Sequence, residues 1–256
     1  MLIKVIVCIL AGLGAGLGTG FAGMSAAAVI SPMLITFLGM EPYQAVAIAL
    51  ASDVLASAAS AYTYAKNKNL DIRNGLIMMA SVLCFTLVGS YVASIVPSKT
   101  MGSFSTFMTL LLGVKFIAKP VTEPKARFTN ATAQQKAVRS VLCGAMVGFI
   151  CGFIGAGGGM MMLLVLTSVL GYELKTAVGT SVFIMAATAF TGSASHIVIG
   201  GLPDIPALVI CIISTLVFAL IAAVIANKVS AKTLNRATGT VLVVLGVAIL
   251  AVNWLK

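Results

Sequence analysis

Asp53 is the only acidic residue lying well inside a long apolar stretch of this 256-residue chain. A carboxylate in apolar surroundings is costly, so it must face the interior and hold a partner or a shifted pKa. Two chemistries fit. One is an acid that takes up and releases a proton. The other is a structural acid hydrogen-bonded to Ser52, Ser57 or backbone. A second group is Gly155-Ala156-Gly157-Gly158-Gly159. Glycines permit unusual backbone angles and leave amide N–H groups uncovered. With a helix starting near Met160, Gly157, Gly158 and Gly159 would form an anion cradle at a helix N-terminus. The alternative is close helix packing through small residues.

Thr180 and Ser181 stand about one turn into the next apolar segment, where their hydroxyls could reach an anion or an exposed carbonyl. Such hydroxyls also bond back to their own helix. His196 is the single histidine. Its place near a segment end, beside Ser193 and Ser195, suits an interfacial hydrogen bond, a gate or a proton relay. An intramembrane hydrolase would need a base within reach of an activated serine. Ser25 and His196 are expected at different depths, and there is no HExxH pair or second buried acid, so no enzyme is expected. Cys8, Cys84, Cys143, Cys151 and Cys211 form no CxxC pair, so neither a metal site nor a disulfide framework nor a cofactor is implied.

The elements that must position these residues are membrane helices. The chain is 60% hydrophobic and only 9% charged, against about 25% charged residues in soluble domains. Val5 to Met40, Ser140 to Tyr172, Thr176 to Pro203 and Ile205 to Asn227 contain no charge. About 20 apolar residues cross a hydrocarbon core as a helix. The start, Lys4 followed by an apolar run, imitates a secretory signal. No clear cleavage site follows, so a retained first helix is expected.

Shifting the sequence by 132 positions aligns Gly16, Gly20, Phe21 and Gly23 with Gly148, Gly152, Phe153 and Gly155. Leu38-Gly39, Glu41 and Ala45-Val46 fall on Leu170-Gly171, Glu173 and Ala177-Val178. After a one-residue slip, Asp71-Ile72 matches Asp204-Ile205, Lys99-Thr100 matches Lys232-Thr233, and Leu112-Gly113-Val114 matches Leu245-Gly246-Val247. The chain therefore reads as repeat 1 over 1–119, a linker over 120–137 and repeat 2 over 138–256. Apolar segments fall near 3–22, 24–38, 43–65, 74–96 and 101–118, then near 138–155, 158–170, 174–199, 205–226 and 235–255. The second of each set is short; 24–38 reaches about 22 Å against a core of about 30 Å. These segments look like arms of broken or hairpin helices, whose freed backbone must face protein or a wet cavity. The half-sites differ. Gly23-Met24-Ser25-Ala26-Ala27 replaces the glycine run. Ile48 and Ala49 align with Thr180 and Ser181, the polar pair appears later as Ser52-Asp53, and Asp53 and Tyr64 align with Met185 and His196.

If each half crosses an odd number of times, one face collects 13 of the 16 lysines and arginines and the other only Lys4, Lys99 and Lys256. The positive-inside rule then puts both termini outside and the central loop in the cytoplasm. The net charge of +10 is accounted for by topology and by anionic lipid head groups rather than nucleic acid. An odd count turns the second half upside down. Inverted repeats with paired interrupted segments mark secondary transporters, with the site near the midplane. The expected architecture is thus an all-α integral membrane protein of two inverted repeats in the cell membrane. Its substrate-contacting candidates are Gly23, Ser25, Ser52, Gly157, Gly158, Gly159, Thr180 and Ser181. Asp53 is the proton-coupling candidate and His196 the gate candidate. An anion channel of the same build is the alternative, and homo-oligomerisation is left open.

The stretch Gly148-Phe149-Ile150-Cys151-Gly152-Phe153-Ile154-Gly155-Ala156-Gly157-Gly158-Gly159, followed by Leu170-Gly171 and Ala177-Val178-Gly179-Thr180-Ser181, resembles the sulfite exporter TauE/SafE family of membrane permeases. The resemblance covers nearly the whole chain. It implies transport of small sulfur-containing or organic anions such as sulfite, thiosulfate or sulfonates, and it selects Gly157, Gly158, Gly159, Thr180 and Ser181. The first half departs from the pattern at Met24-Ser25-Ala26-Ala27 and Ala47-Ile48-Ala49, so one half-site is rebuilt.

Overall fold

The structure, a computed structural model, describes residues 2–93, 110, 114, 117–118, 132–154 and 158–254. Among these residues the chain is all-helical, as expected. Its helices are α1 (Leu2–Ala22), α2 (Ala27–Leu38), α3 (Pro42–Lys66), α4 (Ile72–Ala93), α5 (Ala133–Ile154), α6 (Gly158–Ser168), α7 (Leu174–Gly200), α8 (Ile205–Lys228) and α9 (Ala231–Trp254). Most of the segment expected near 101–118 lies outside the described residues. Helix α5 begins earlier than the apolar run suggests, because Thr132 and Gln135 cap it reciprocally. The Gln135 amide donates to Thr132 Oγ1 and the Thr132 amide to Gln135 Oε1, each at 3.3 Å. This capping box ties down a helix start that hydropathy does not register.

Among the described residues, four helical stretches are long and apolar enough to cross a membrane: Leu2–Ala22, Gln44–Lys66, Leu174–Ala194 and Ile205–Lys228. Helices α2 and α6 have 12 and 11 residues, so they span only about 18 and 16 Å. Helix α2 stops at Leu38-Gly39, and α6 stops at Ser168, just before Leu170-Gly171. Gly39 and Gly171 adopt φ of 61° and 69°, the left-handed conformation that ends helices and that side chains other than glycine's disfavour. Downstream, Asp71 and Asp204 cap α4 and α8, accepting from the amides of Asn74 and Ala207 at 3.0 Å. The repeated Leu-Gly and Asp-Ile pairs are therefore stop and start signals.

Packing follows the membrane rule of small residues inside and large ones outside. On α8, Ala219, Ala222, Ala223 and Ala226 are buried while Val209, Ile213, Leu220 and Ile221 are exposed. Glycines make the close approach. Gly12 faces Ser214, Gly16 faces Thr215 and Ala219, and Gly20 faces Ala222 and Ala223. These numbers rise together, so α1 and α8 run parallel. Likewise Gly144 faces Met78 and Ser81 while Gly148 faces Val82, so α4 and α5 run parallel. The short helices lie at the centre: Ile30 and Leu34 of α2 and Met162, Leu163 and Leu166 of α6 are fully enclosed.

Candidate functional site

Between α1 and α2 the chain breaks at Gly23, whose φ of 60° reverses the path of the helix and favours glycine. A break inside a bundle releases carbonyls and amides that must find partners. Here four helices supply them. The Tyr64 phenol of α3 donates to Gly20 O at 2.8 Å and Thr238 of α9 to Phe21 O at 2.9 Å. Ser181 of α7 donates to Gly23 O at 2.7 Å and Thr19 of α1 to Met24 O at 3.0 Å. The Gly23 amide itself donates to Thr19 O at 2.9 Å.

Asp53, fully enclosed on α3, completes the break. Ser25 Oγ donates to its Oδ2 at 2.8 Å and Ser57 Oγ to its Oδ1 at 2.7 Å. Of the partners expected for a structural acid, Ser57 is found. Ser52 is not, since its hydroxyl bonds back to Ile48 O at 2.8 Å. The missing partner is Ser25, which sequence proximity could not nominate because it lies 28 residues away.

The start of α6 meets this break directly. A β-carbon on Gly159 would lie 2.5 Å from Ser25 N and 2.8 Å from Met24 Cα, so only glycine lets the two backbones touch. Gly158 opens α6, while Gly157 lies outside the described residues. Thr180 accepts from the Asp71 amide at 3.2 Å, which ties the loop after α3 to α7. The gate candidate His196 is on α7, but its side chain is outside the described residues. Ser25, Ser181, Asp53, Gly23 and Gly159 are thus brought together, and Ser52 stands apart from them.

A polar cluster that the sequence reading did not nominate closes the end of the bundle near Lys66 and Lys228. Asp71 accepts from Asn74 Nδ2 and from the Tyr172 hydroxyl, both at 2.7 Å. Asn69 donates to Asn227 Oδ1 at 2.7 Å, and Lys175 to Asn227 O at 3.1 Å. Burial works to raise the Asp71 pKa, but the Asn74 and Tyr172 donors with the nearby Lys136 charge outweigh it and hold the carboxyl below its usual value. At the opposite end Asp204 is likewise held low, first by its hydrogen bond from Lys4. The available signal for the cluster was the concentration of Asn, Asp and Tyr at the helix ends.

The sequence profile of the family described as sulfite exporter TauE/SafE matches residues 8–249, which takes in both breaks and every helix that packs on them. The chain belongs to the sulfite exporter TauE/SafE family. Among relatives, it is 26% identical over 198 residues to the probable membrane transporter protein YunE of Bacillus subtilis, covering 72% of each chain. It is 21% identical over 222 residues to the probable membrane transporter protein YdhB of the same organism, covering 87% of this chain and 90% of that one. A probable membrane transporter protein of Methanocaldococcus jannaschii is 25% identical over 201 residues, covering 75% and 73%. As a TauE/SafE member the chain is a multi-pass membrane protein of a transporter family, not an enzyme family, and its partner is a small solute.

Proposed function

We propose that this TauE/SafE protein is a secondary transporter of small anions of the sulfur-containing or organic class (sulfite, thiosulfate, sulfonates), working through two inverted repeats. The contact of Gly159 with Ser25 and Met24 carries the reading, because it sets the start of α6 against the start of α2. Helix N-termini at the junction of two halves offer positive dipole ends to an anion. The two-repeat reading is supported by the helix pairs. Gly12 and Ser214 are the repeat mates of Gly144 and Ser81, and each glycine packs on its serine. The 13-to-3 division of basic residues supports external termini, a cytoplasmic central loop and anionic lipid at that face.

Coupling to a proton gradient is assigned to Asp53. Protonation would weaken it as the acceptor for Ser25 and Ser57, and so release the break. Counterflow of labelled sulfite, thiosulfate and a simple sulfonate into proteoliposomes tests the reading. Saturable counterflow of one of them is expected, and a channel of the same build would give none. Absence of flux for all three removes the substrate class. Asp53→Asn is expected to transport without response to a pH gradient, and an unchanged response removes the coupling role.

A further inference from the structure

We infer that the Asp71 carboxylate is a two-position latch at one end of the bundle: Tyr172 holds it while that end is closed, as here, and Lys136 takes it over when that end opens. Asp71 and Asp204 are repeat mates, and each caps its helix in the same way. Oδ1 accepts from the amide of a mate residue, Asn74 or Ala207, at 3.0 Å. The two carboxylates differ in what holds Oδ2. On Asp204 it is Lys4. On Asp71 it is the Tyr172 hydroxyl and Asn74 Nδ2, both at 2.7 Å. The mate of Lys4 is Lys136, and it is in register for the same partner. Gly144 packs on Ser81 as Gly12 packs on Ser214. Lys136 and Asp71 stand as far ahead of Gly144 and Ser81 as Lys4 and Asp204 stand ahead of Gly12 and Ser214. Both helix pairs are parallel, so Lys136 can reach Asp71 as Lys4 reaches Asp204. Among the described residues the one ion pair is Lys4 with Asp204, so Lys136 has not taken Asp71 here.

The two partners do different work. Tyr172 lies between α6 and α7, so its bond joins the loop ahead of α4 to the second half of the chain. The Asp71 amide adds a second tie, donating to Thr180 Oγ1 of α7 at 3.2 Å. At the other end neither tie can form, because the mates of Tyr172 and Thr180 are Met40 and Ile48, which have no hydroxyl. Lys4 instead sits on α1, the helix already packed along α8, so its bond to Asp204 spans no gap between halves. Asn69 bonds Asn227 at the far end of α8. The two carboxylates are therefore separated by the 24 residues of α8, about 36 Å. Asp204 displays the released arrangement at one end, and Asp71 the engaged one at the other. Replacing Tyr172 by Lys136 exchanges one hydrogen bond to a charged oxygen for another. The two positions then differ little in free energy, as a reversible gate requires. That the latch gates a solute path rests on the transport reading above, whereas the exchange of partners does not.

The test needs no substrate. Ala177 is fully enclosed on the stretch of α7 between Tyr172 and Thr180. In the full chain in detergent, a maleimide is expected to react slowly with Ala177→Cys, read by mass on the peptide carrying residue 177 so that the native cysteines do not count. Adding Tyr172→Phe is expected to speed that reaction by about tenfold, the scale of losing one hydrogen bond to a charged group. Adding Lys136→Gln as well should return the rate to the parent value, because the released carboxylate then has no second holder. Lys136→Gln without Tyr172→Phe should keep the parent's melting temperature, slow the labelling, and slow counterflow by about tenfold. An unchanged rate with Tyr172→Phe, or a rise that Lys136→Gln does not reverse, overturns the proposal; the second is what a merely structural tyrosine would give. If Tyr172→Phe does not accumulate, Lys136→Gln decides, and parental labelling by that variant overturns the proposal. Should the wild type carry none of the anions tried, the labelling rates still report on the latch, so the two readings fail separately.

Discussion

Replacing Gly159 with alanine adds one methyl group at the point where the start of α6 touches the start of α2. The new β-carbon would sit 2.5 Å from Ser25 N and 2.8 Å from Met24 Cα, and ordinary contact begins at 3.4 Å. One backbone must therefore retreat by about 0.9 Å from the other. Both neighbours are main chain, and the Ser25 side is held through Asp53, so side-chain rotation cannot absorb the shift. Overpacking of this kind costs about 1–3 kcal/mol. Part is offset by the better helix propensity of alanine, worth about 1 kcal/mol. The net stability change is thus expected to be small. A displacement near 1 Å at a reacting centre costs an enzyme about 10²-fold, and a fall of at least about tenfold in anion uptake is expected here. Gly39→Ala is the matched control. Nothing lies within 4 Å of its new methyl group, but its φ of 61° makes alanine strained, at about 1–2 kcal/mol. Initial rates of counterflow in proteoliposomes, read beside melting curves in detergent, separate the two. Wild-type uptake by folded Gly159→Ala, or an equal loss in Gly39→Ala, would refute the role given to this contact.

Ser181→Ala removes the donor to Gly23 O, and a buried carbonyl left unpaired should destabilise the protein by about 1–3 kcal/mol, visible as a lowered melting temperature. Asp71 has a folded-state pKa below its ordinary value, so its stabilisation is present above the usual aspartate range and is lost as pH falls through the folded value. Tyr172→Phe deletes one of the donors responsible, and its destabilisation should be measurable at neutral pH and vanish in acid; a pH-independent effect would count against the assignment. A cysteine placed at Lys125 should resist impermeant thiol reagents in intact cells, and labelling from outside would reverse the proposed orientation.

Much of the architecture was legible because it is written locally. The shortness of α2 and α6 follows from Leu38-Gly39 and Leu170-Gly171, where a left-handed glycine caps α2 directly and turns the chain three residues after α6. The starts of α4 and α8 follow from Asp71 and Asp204, whose side chains bond amides only three residues ahead. Signals of this reach survive without knowledge of any neighbour, as does the apolar length that marks a membrane helix. Even so, hydropathy misplaced the start of α5, because a capping box of Thr132 and Gln135 is polar.

The site was legible only as a set of residue types. That Asp53 is buried and must be satisfied was already implied by the cost of its charge in an apolar segment. That Ser25 rather than Ser52 satisfies it depends on how α3 lies against the break. Likewise Ser181 was readable as a hydroxyl suited to an exposed carbonyl, but the identity of that carbonyl, Gly23 O, is 158 residues away. Thr19 and Thr238 gave no sign of their role, since a threonine hydroxyl in an apolar helix bonds its own backbone just as readily, and Tyr64 gave none because its carbonyl partner lies 44 residues away. Sequence alone determined which segments break and which residues carry hydrogen-bonding groups, because both are properties of a few neighbouring residues. Only the tertiary structure decided which group meets which, because the donors that close the break arrive on four different helices whose mutual register is set by packing.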